Sequence, residues 1–324
     1  MIEMHLQKDL FGTLEKKPTR DGFGIGLLEM GKINSNLWVL TADVSESTRT
    51  HLFAKEFPQR FVQVGVSEQN MAGVGAGIAA SGKVVVISAY GVFSPGRNWD
   101  QIRVSICYND VPVIIHGSHT GLTVGPDGAS HQALEDIAIT RVLPNMVVIC
   151  PSDFNQAKKA TMELIKREKP AYIRSAREKT PVFTSENTPF EIGKANIYRE
   201  GTDAYIIACG VPVYESLKAA NELEKNGISV GVVDCHTIKP IDRKTIIDCA
   251  SKTKLLISVE DHQINGGLGS AISEVLTDER LGVKLRRHGI YDIFCESGEP
   301  YELLKKYGLD CEGIKKVILE ELKK

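Results

Sequence analysis

Short β-branched runs alternate along this chain with longer segments of helical period, and that alternation restricts the fold more than any other feature. The runs "NLWVLTADV", "RFVQVGV", "KVVVISAY", "VPVIIHGS" and "MVVICPSD" have strand length and are largely apolar, as strands covered on both faces are. Between and after them the spacing predicts helices around 22–32, 68–81, 100–108, 131–139 and 155–168. "AYIRSAREKTPVF" closes this half, and the polar stretch "TSENTPFEIGK" reads as a linker because periodicity fades there. A second alternation follows: "DAYIIACG", a helix over 213–226, "ISVGVVDCHTI", a helix near 243–251, "KLLISVEDH" and a helix over 269–276. The expectation is an α/β protein of two domains, 1–184 and 196–324, joined by a linker over 185–195. Each domain is expected to be a mainly parallel sheet flanked by helices.

A length of 324 residues agrees with about two domains. Hydrophobic residues at 42% and charged residues at 25% are ordinary globular values and argue against disorder. Lys plus Arg (39) nearly balances Asp plus Glu (41), so no global basic field exists to hold nucleic acid or an anionic membrane. Any anion site must be local. The seven cysteines are widely spaced, form no C-x-x-C pair and are odd in number, which reads as reduced thiols filling a core. The opening "MIEMHLQKDLFGTLEKKPTRDG" lacks a basic start followed by an apolar block, and no apolar run reaches bilayer length. These features predict a soluble, cytoplasmic protein.

In open α/β sheets ligands sit beyond the carboxyl ends of the strands. Polar residues at those positions are Asp43 and Ser47, Glu68, Tyr90 to Arg97, and His116 and His119. Glu68 stands between a strand and a helix lined with glycine and alanine, "MAGVGAGIAA", whose small residues let another backbone approach and seal a carboxylate from water. The segment "HTGLTVGPDGASHQALEDIA" has glycines at 121, 125 and 128 for tight bends, with Ser130 as a candidate N-cap that would set His131 at a helix start. Alone, each of these patterns is also what a structural loop would look like. His116 and His119 lack a clear third metal ligand, and no H-E-x-x-H or G-x-S-x-G is present. "NGGLGSA" at 265–271 could cradle an anion, but a structural turn explains it as well.

The motifs "LTADVSES", "VSEQNM", "GLTVGPDGASHQALEDIAITRVLPNM" and "VVDCHTIKPID", in this order, resemble the C-terminal part of transketolases over nearly the whole chain. The fold this implies is a pyrimidine-binding domain followed by a transketolase C-terminal domain. The family's Gly-Asp-Gly signature with its following Asn, which holds Mg2+ and the diphosphate of thiamine diphosphate, has no counterpart here; "PDG" at 126–128 belongs to another motif. The chain thus resembles the C-terminal subunit of a split-gene transketolase. A separate N-terminal subunit would hold the diphosphate and Mg2+ in an α2β2 heterotetramer, with this chain as the central dimer.

The resemblance gives Glu68 a role: hydrogen-bonding N1′ of the cofactor's aminopyrimidine, so that the ylid forms which moves a two-carbon ketol unit from a ketose phosphate to an aldose phosphate. Xylulose 5-phosphate and ribose 5-phosphate are the expected pair. Arg20, Ser47, His119 and Arg177 match residues that hold the sugar phosphate. Asp127 and His131 match the pair that recognises the hydroxyl and carbonyl near the reacting carbon, and His131 is also a catalytic candidate. Asp43 matches an acidic residue near the cofactor. One stretch departs: an ungapped comparison puts Val92, Pro95 and Asn98 where transketolases stack aromatic rings on the aminopyrimidine. A small shift brings in Phe93, with Tyr90 and Trp99 as further candidates. This loop resembles deoxyxylulose-phosphate synthases as much as transketolases.

Alternatives therefore stay open: a subunit of a deoxyxylulose-phosphate synthase-like enzyme, a 2-oxoacid dehydrogenase β-subunit, or a binding subunit without catalysis. "DGASHQ" and two candidate phosphate arginines argue against the dehydrogenase, and "ADVSES" favours transketolase.

Overall fold

In a computed structural model, residues 5–323 are described. The first four residues of the stretch read for a leader, and residue 324 at the end of the second expected domain, lie outside them.

The strands are β1 (Leu37–Thr41), β2 (Phe61–Gln63), β3 (Val84–Tyr90), β4 (Val113–Ser118), β5 (Val147–Ile149), β6 (Ala171–Ser175), β7 (Asn196–Arg199), β8 (Ala204–Ala208), β9 (Val230–Asp234), β10 (Thr237–Lys239), β11 (Leu255–Gln263) and β12 (Lys284–Ile290). A short ribbon pairs Lys16–Lys17 with Thr180–Pro181. The longer helices are α1 (Thr19–Ile33), α2 (Glu68–Ala80), α3 (Asp136–Arg141), α4 (Phe154–Arg167), α5 (Pro212–Glu224), α6 (Arg243–Lys252), α7 (Leu268–Asp278), α8 (Pro300–Lys306) and α9 (Cys311–Leu322).

The first sheet runs β10-β5-β6-β4-β3-β1-β2 and is parallel except at β10. The second runs β12-β11-β8-β9-β7 and is parallel except at β7. All of β4, β6, β8 and β9 is buried, which is why their sequences are mostly apolar on both faces rather than alternating, with His116, Arg174 and Asp234 among the buried polar exceptions. Helices cover both faces. α1 and α4 approach closely through glycine: a Cβ on Gly22 would lie 2.1 Å from the Phe154 carbonyl oxygen. α4 starts at a buried N-cap, Asp153, whose Oδ1 accepts from Gln156 N (3.0 Å) while Oδ2 takes the N–H groups of Phe183 and Thr184.

The two halves share structure. β10, from the second half, adds an edge strand to the first sheet, and one hydrophobic cluster runs from Leu40 and Ile87 across to Val233, Leu256 and Ile272. The stretch read as a linker is held down, with Phe190 stacked on His236 at 4.4 Å. All seven thiols are free, and six of them are buried.

Three local expectations change. The helix expected from residue 131 begins at Asp136; Leu122–Ser130 forms tight 3-10 turns broken by left-handed Gly125 and Gly128 (φ 74° and 69°), and Ser130 Oγ bonds His131 Nδ1 rather than capping a helix. His131 therefore has no helix dipole behind it. The helix expected over 100–108 starts at Trp99 and widens into a π-type helix over Ile102–Tyr108. His116 lies inside β4 rather than beyond it, stacked on Phe23 and held by Ser88 and Ser175 at 2.8 Å each.

Candidate active site

Most of the residues singled out in the sequence meet at the carboxyl edge of the first sheet, where β1, β3 and β4 end. Glu68 is the first residue of α2 and is 3% exposed. Its Oε2 accepts from Arg97 Nη1 at 2.7 Å, and its carbonyl accepts from Asn98 Nδ2 at 3.1 Å. Asn98, itself fully buried, also donates to Ser94 Oγ, so the loop after β3 is pinned against the start of α2. A carboxylate this deep needs a matching charge, and the half-exposed Arg97 guanidinium supplies it.

The Arg97 guanidinium also lies over the Phe93 ring, 4.5 Å from its centroid. Phe93 belongs to a group of four rings. Its centroid is 5.5 Å from His131 and 6.3 Å from Tyr90, and Tyr90 in turn is 6.1 Å from His131 and 4.1 Å from His119. Glu68, Arg97, Phe93, Tyr90, His131 and His119 thus form one continuous series of contacts.

His119 is buried and sits in the left-handed region (φ 57°) just past β4. Arg20 Nη1 reaches its Nε2 at 3.2 Å. A guanidinium can only donate, so Nε2 accepts and the ring proton is on Nδ1, which donates to Ser118 Oγ at 2.9 Å. Burial, and then the charge of Arg20, push the pKa of His119 down to about 3, so the ring is neutral at physiological pH. The same Arg20 nitrogen donates to the Ser47 carbonyl at 3.0 Å. Burial, followed by the nearby charge of Arg49, lowers the Arg20 pKa from its usual value. Arg177 Nη1 lies 3.4 Å from Asp127 Oδ2 and donates to the Val124 carbonyl at 2.9 Å, tying Asp127 to the chain after β6. Arg20 and Arg177 make a local cationic surface in a chain with no global one, and Arg49, held by Asp21 at 2.6 Å, extends it.

Not every candidate joins. Trp99 turns the other way: its indole N–H donates to the Ile139 carbonyl at 2.6 Å and the ring packs on the core. Asp43 is exposed just past β1, with its backbone N–H on Gln63 Oε1. At "NGGLGSA" the amides of Leu268 and Gly269 are taken by the carboxylate of Glu260 at 2.7 and 2.8 Å, so that helix start is filled by the chain itself. Sequence reasoning passed over Arg97 and Asn98 without foreseeing their contacts with Glu68, and it missed Arg49. The loop after β3 reads first as a source of rings, and "GRNW" by itself does not say what its arginine faces.

The family model described as "Transketolase, pyrimidine binding domain" matches residues 15–182, and that described as "Transketolase, C-terminal domain" matches residues 193–314. The chain belongs to the transketolase family. Similar family members include a Methanocaldococcus jannaschii protein described as a transketolase C-terminal section, 48% identical over 311 residues and covering 95% of this chain and 97% of its own. An apulose-4-phosphate transketolase subunit of Phocaeicola vulgatus is 37% identical, covering 94% of this chain and 97% of its own. Among solved structures, a split gene transketolase, an inactive β4 tetramer, is 41% identical with a TM-score of 0.88 and covers 94% of this chain and 98% of its own.

Transketolases work with thiamine diphosphate, and the residues present fit its aminopyrimidine end. Glu68 and Phe93 already hold a flat, N–H-donating group between them, the Arg97 guanidinium. Among the described residues no group of three His, Cys, Asp or Glu is placed to hold a metal ion. No helix there is long and apolar enough to cross a membrane.

Proposed function

We propose that this chain is the C-terminal subunit of a two-subunit transketolase, which transfers a two-carbon ketol unit from a ketose phosphate such as xylulose 5-phosphate to an aldose phosphate such as ribose 5-phosphate. The observation that carries the reading is the buried Glu68 carboxylate facing a flat nitrogen donor over Phe93, next to the cationic group of Arg20 and Arg177.

In this reading Glu68 holds the proton shared with N1′ of the aminopyrimidine, and Phe93 supports the ring's face. When bound, thiamine diphosphate supplies the carbanion chemistry that cleaves and forms bonds beside a carbonyl. Arg20 and Arg177 bind the sugar phosphate, positioned by Ser47 and by neutral His119. Asp127 and His131 orient the substrate's hydroxyl and carbonyl, and Tyr90 packs between His119 and His131. Asp43 and Trp99 have weaker claims: one is exposed and the other faces the core.

Diphosphate and Mg2+ would be held by a separate N-terminal subunit, in an α2β2 assembly. Support for a central dimer comes from α2 and the turn before it, where a Cβ on Gly73 or Gly77 would meet nothing within 4 Å and Val66 and Val74 stand exposed. Seven free thiols suit a reducing cytoplasm.

The test is a coupled assay with thiamine diphosphate, Mg2+, xylulose 5-phosphate and ribose 5-phosphate, run on the chain alone and with the matching N-terminal subunit. Activity in the mixture only is expected. A silent mixture in which the two subunits bind each other would reject this donor and acceptor, with pyruvate and glyceraldehyde 3-phosphate next in line.

A further inference from the structure

We propose that Arg97 is a gate on the aminopyrimidine seat, its guanidinium competing with the cofactor's ring for Glu68 and Phe93. This inference rests on the function proposed above. Its basis is that both contacts of the Arg97 head group fall on the two residues assigned to that ring: Nη1 is 2.7 Å from Glu68 Oε2, and the guanidinium carbon is 4.5 Å from the Phe93 centroid. A guanidinium resembles an aminopyrimidine in the features this seat selects. Both are flat, both stack on an aromatic face, and both present nitrogen to a carboxylate. Glu68 Oε2 and the Phe93 face on which Arg97 lies are the positions for which the two occupants compete.

The surroundings allow the side chain to leave without moving its backbone. Arg97 is half-exposed, whereas its neighbour Asn98 is fully buried and bonded to Glu68 and Ser94, and the Arg97 N–H is held by the Phe93 carbonyl at 3.1 Å. Exposed side chains change rotamer in picoseconds to nanoseconds, so exchange would be fast. The pairing also means that Glu68 need not stay buried without a partner when the cofactor departs. The cost is affinity: a seat that is open only part of the time binds its ligand more weakly in proportion to the open fraction.

The experiment is isothermal titration of thiamine diphosphate, with Mg2+, into the assembled two-subunit protein carrying wild-type, Arg97→Gln, Arg97→Ala or Arg97→Lys chains. The expected result is a Kd about three- to tenfold tighter for the Gln and Ala variants, as for a seat no longer shared. The Lys variant should fall between, since it can pair with Glu68 but lacks the flat face. Should the smaller side chains fail to assemble, with circular dichroism as the check on folding, the Lys variant carries the comparison. Unchanged or weaker binding, with the wild-type complex binding normally, would overturn the gate and leave the functional reading standing. No binding by the wild-type complex would overturn both.

Discussion

The backbone N–H of Leu122 is shared by both carboxylate oxygens of Asp261, at 2.9 and 3.1 Å, fastening the end of β11 to the segment that carries Asp127 and His131. Gly121 is required there: its φ is 73°, and a Cβ would fall 1.9 Å from Asp261 Oδ2. The C-terminal half thus braces this candidate-site loop from behind. Asp261→Ala would leave a buried N–H unpaired, at a cost of about 1–3 kcal/mol. Hydrogen exchange over 121–131 should quicken and activity of the assembled enzyme should fall; unchanged exchange would show that the brace is not needed.

Glu68→Ala and Glu68→Gln should lower turnover of the assembled enzyme by about a hundredfold or more, the scale of a lost proton-transfer group. Folding should survive, because Arg97 is half-exposed and can be hydrated when its partner is gone. Wild-type turnover in either variant, measured in the coupled assay, would remove Glu68 from the chemistry.

Arg177 is more than a third exposed, its pair with Asp127 is long at 3.4 Å and its bond to the Val124 carbonyl uses that same nitrogen, so the guanidinium has further donors to offer a phosphate. Arg177→Ala should raise the KM for the sugar phosphate about tenfold, close to one charge-assisted contact, with a smaller change in kcat. Arg177→Lys should recover part of the loss. An equal fall in kcat and kcat/KM would instead mean a contact made only in the transition state.

Asp234 is buried, and its Oδ2 accepts from Ser152 Oγ, Gln156 Nε2 and Tyr198 Oη. Burial raises its pKa from 3.8 to about 7, against the pull of those donors. Between these two values the folded protein keeps a proton that the unfolded chain has released, so the group's contribution to stability is present at low pH and is lost as pH rises toward 7. Asp234→Asn cannot titrate. The variant's advantage in urea midpoint should grow as pH rises from about 4 to about 7 and then level off; parallel profiles would refute the assignment.

Gly22→Ala should destabilise the protein by about 1–3 kcal/mol without changing its chemistry, because the new methyl would press on the Phe154 carbonyl where α1 crosses α4. The urea midpoint should drop with the slope unchanged.

Much of this was legible in residue order. The apolar runs became buried parallel strands, and the motifs singled out Glu68, His119, Arg20 and Arg177, which the structure sets along the carboxyl edge of the first sheet. Other parts were not. β12, "KLRRHGI", is a sheet-edge strand with four charged or imidazole side chains, so its pattern does not read as a strand. Trp99 was a candidate because it is aromatic, but its indole N–H needed an acceptor and found one at Ile139. Nothing in "PGRNW" says that Arg97 points at a carboxylate 29 positions away.

Strand and helix periodicity is a local record of which side of each element meets the core, so one sequence is enough to specify the layers and the edge at which a site would form. Which side chains meet at that edge depends on strand order and register. Arg20 and His119 are 99 positions apart and Leu122 and Asp261 are 139 apart, and only the packing of α1 and β11 against the first sheet's carboxyl edge brings each pair within hydrogen-bond reach.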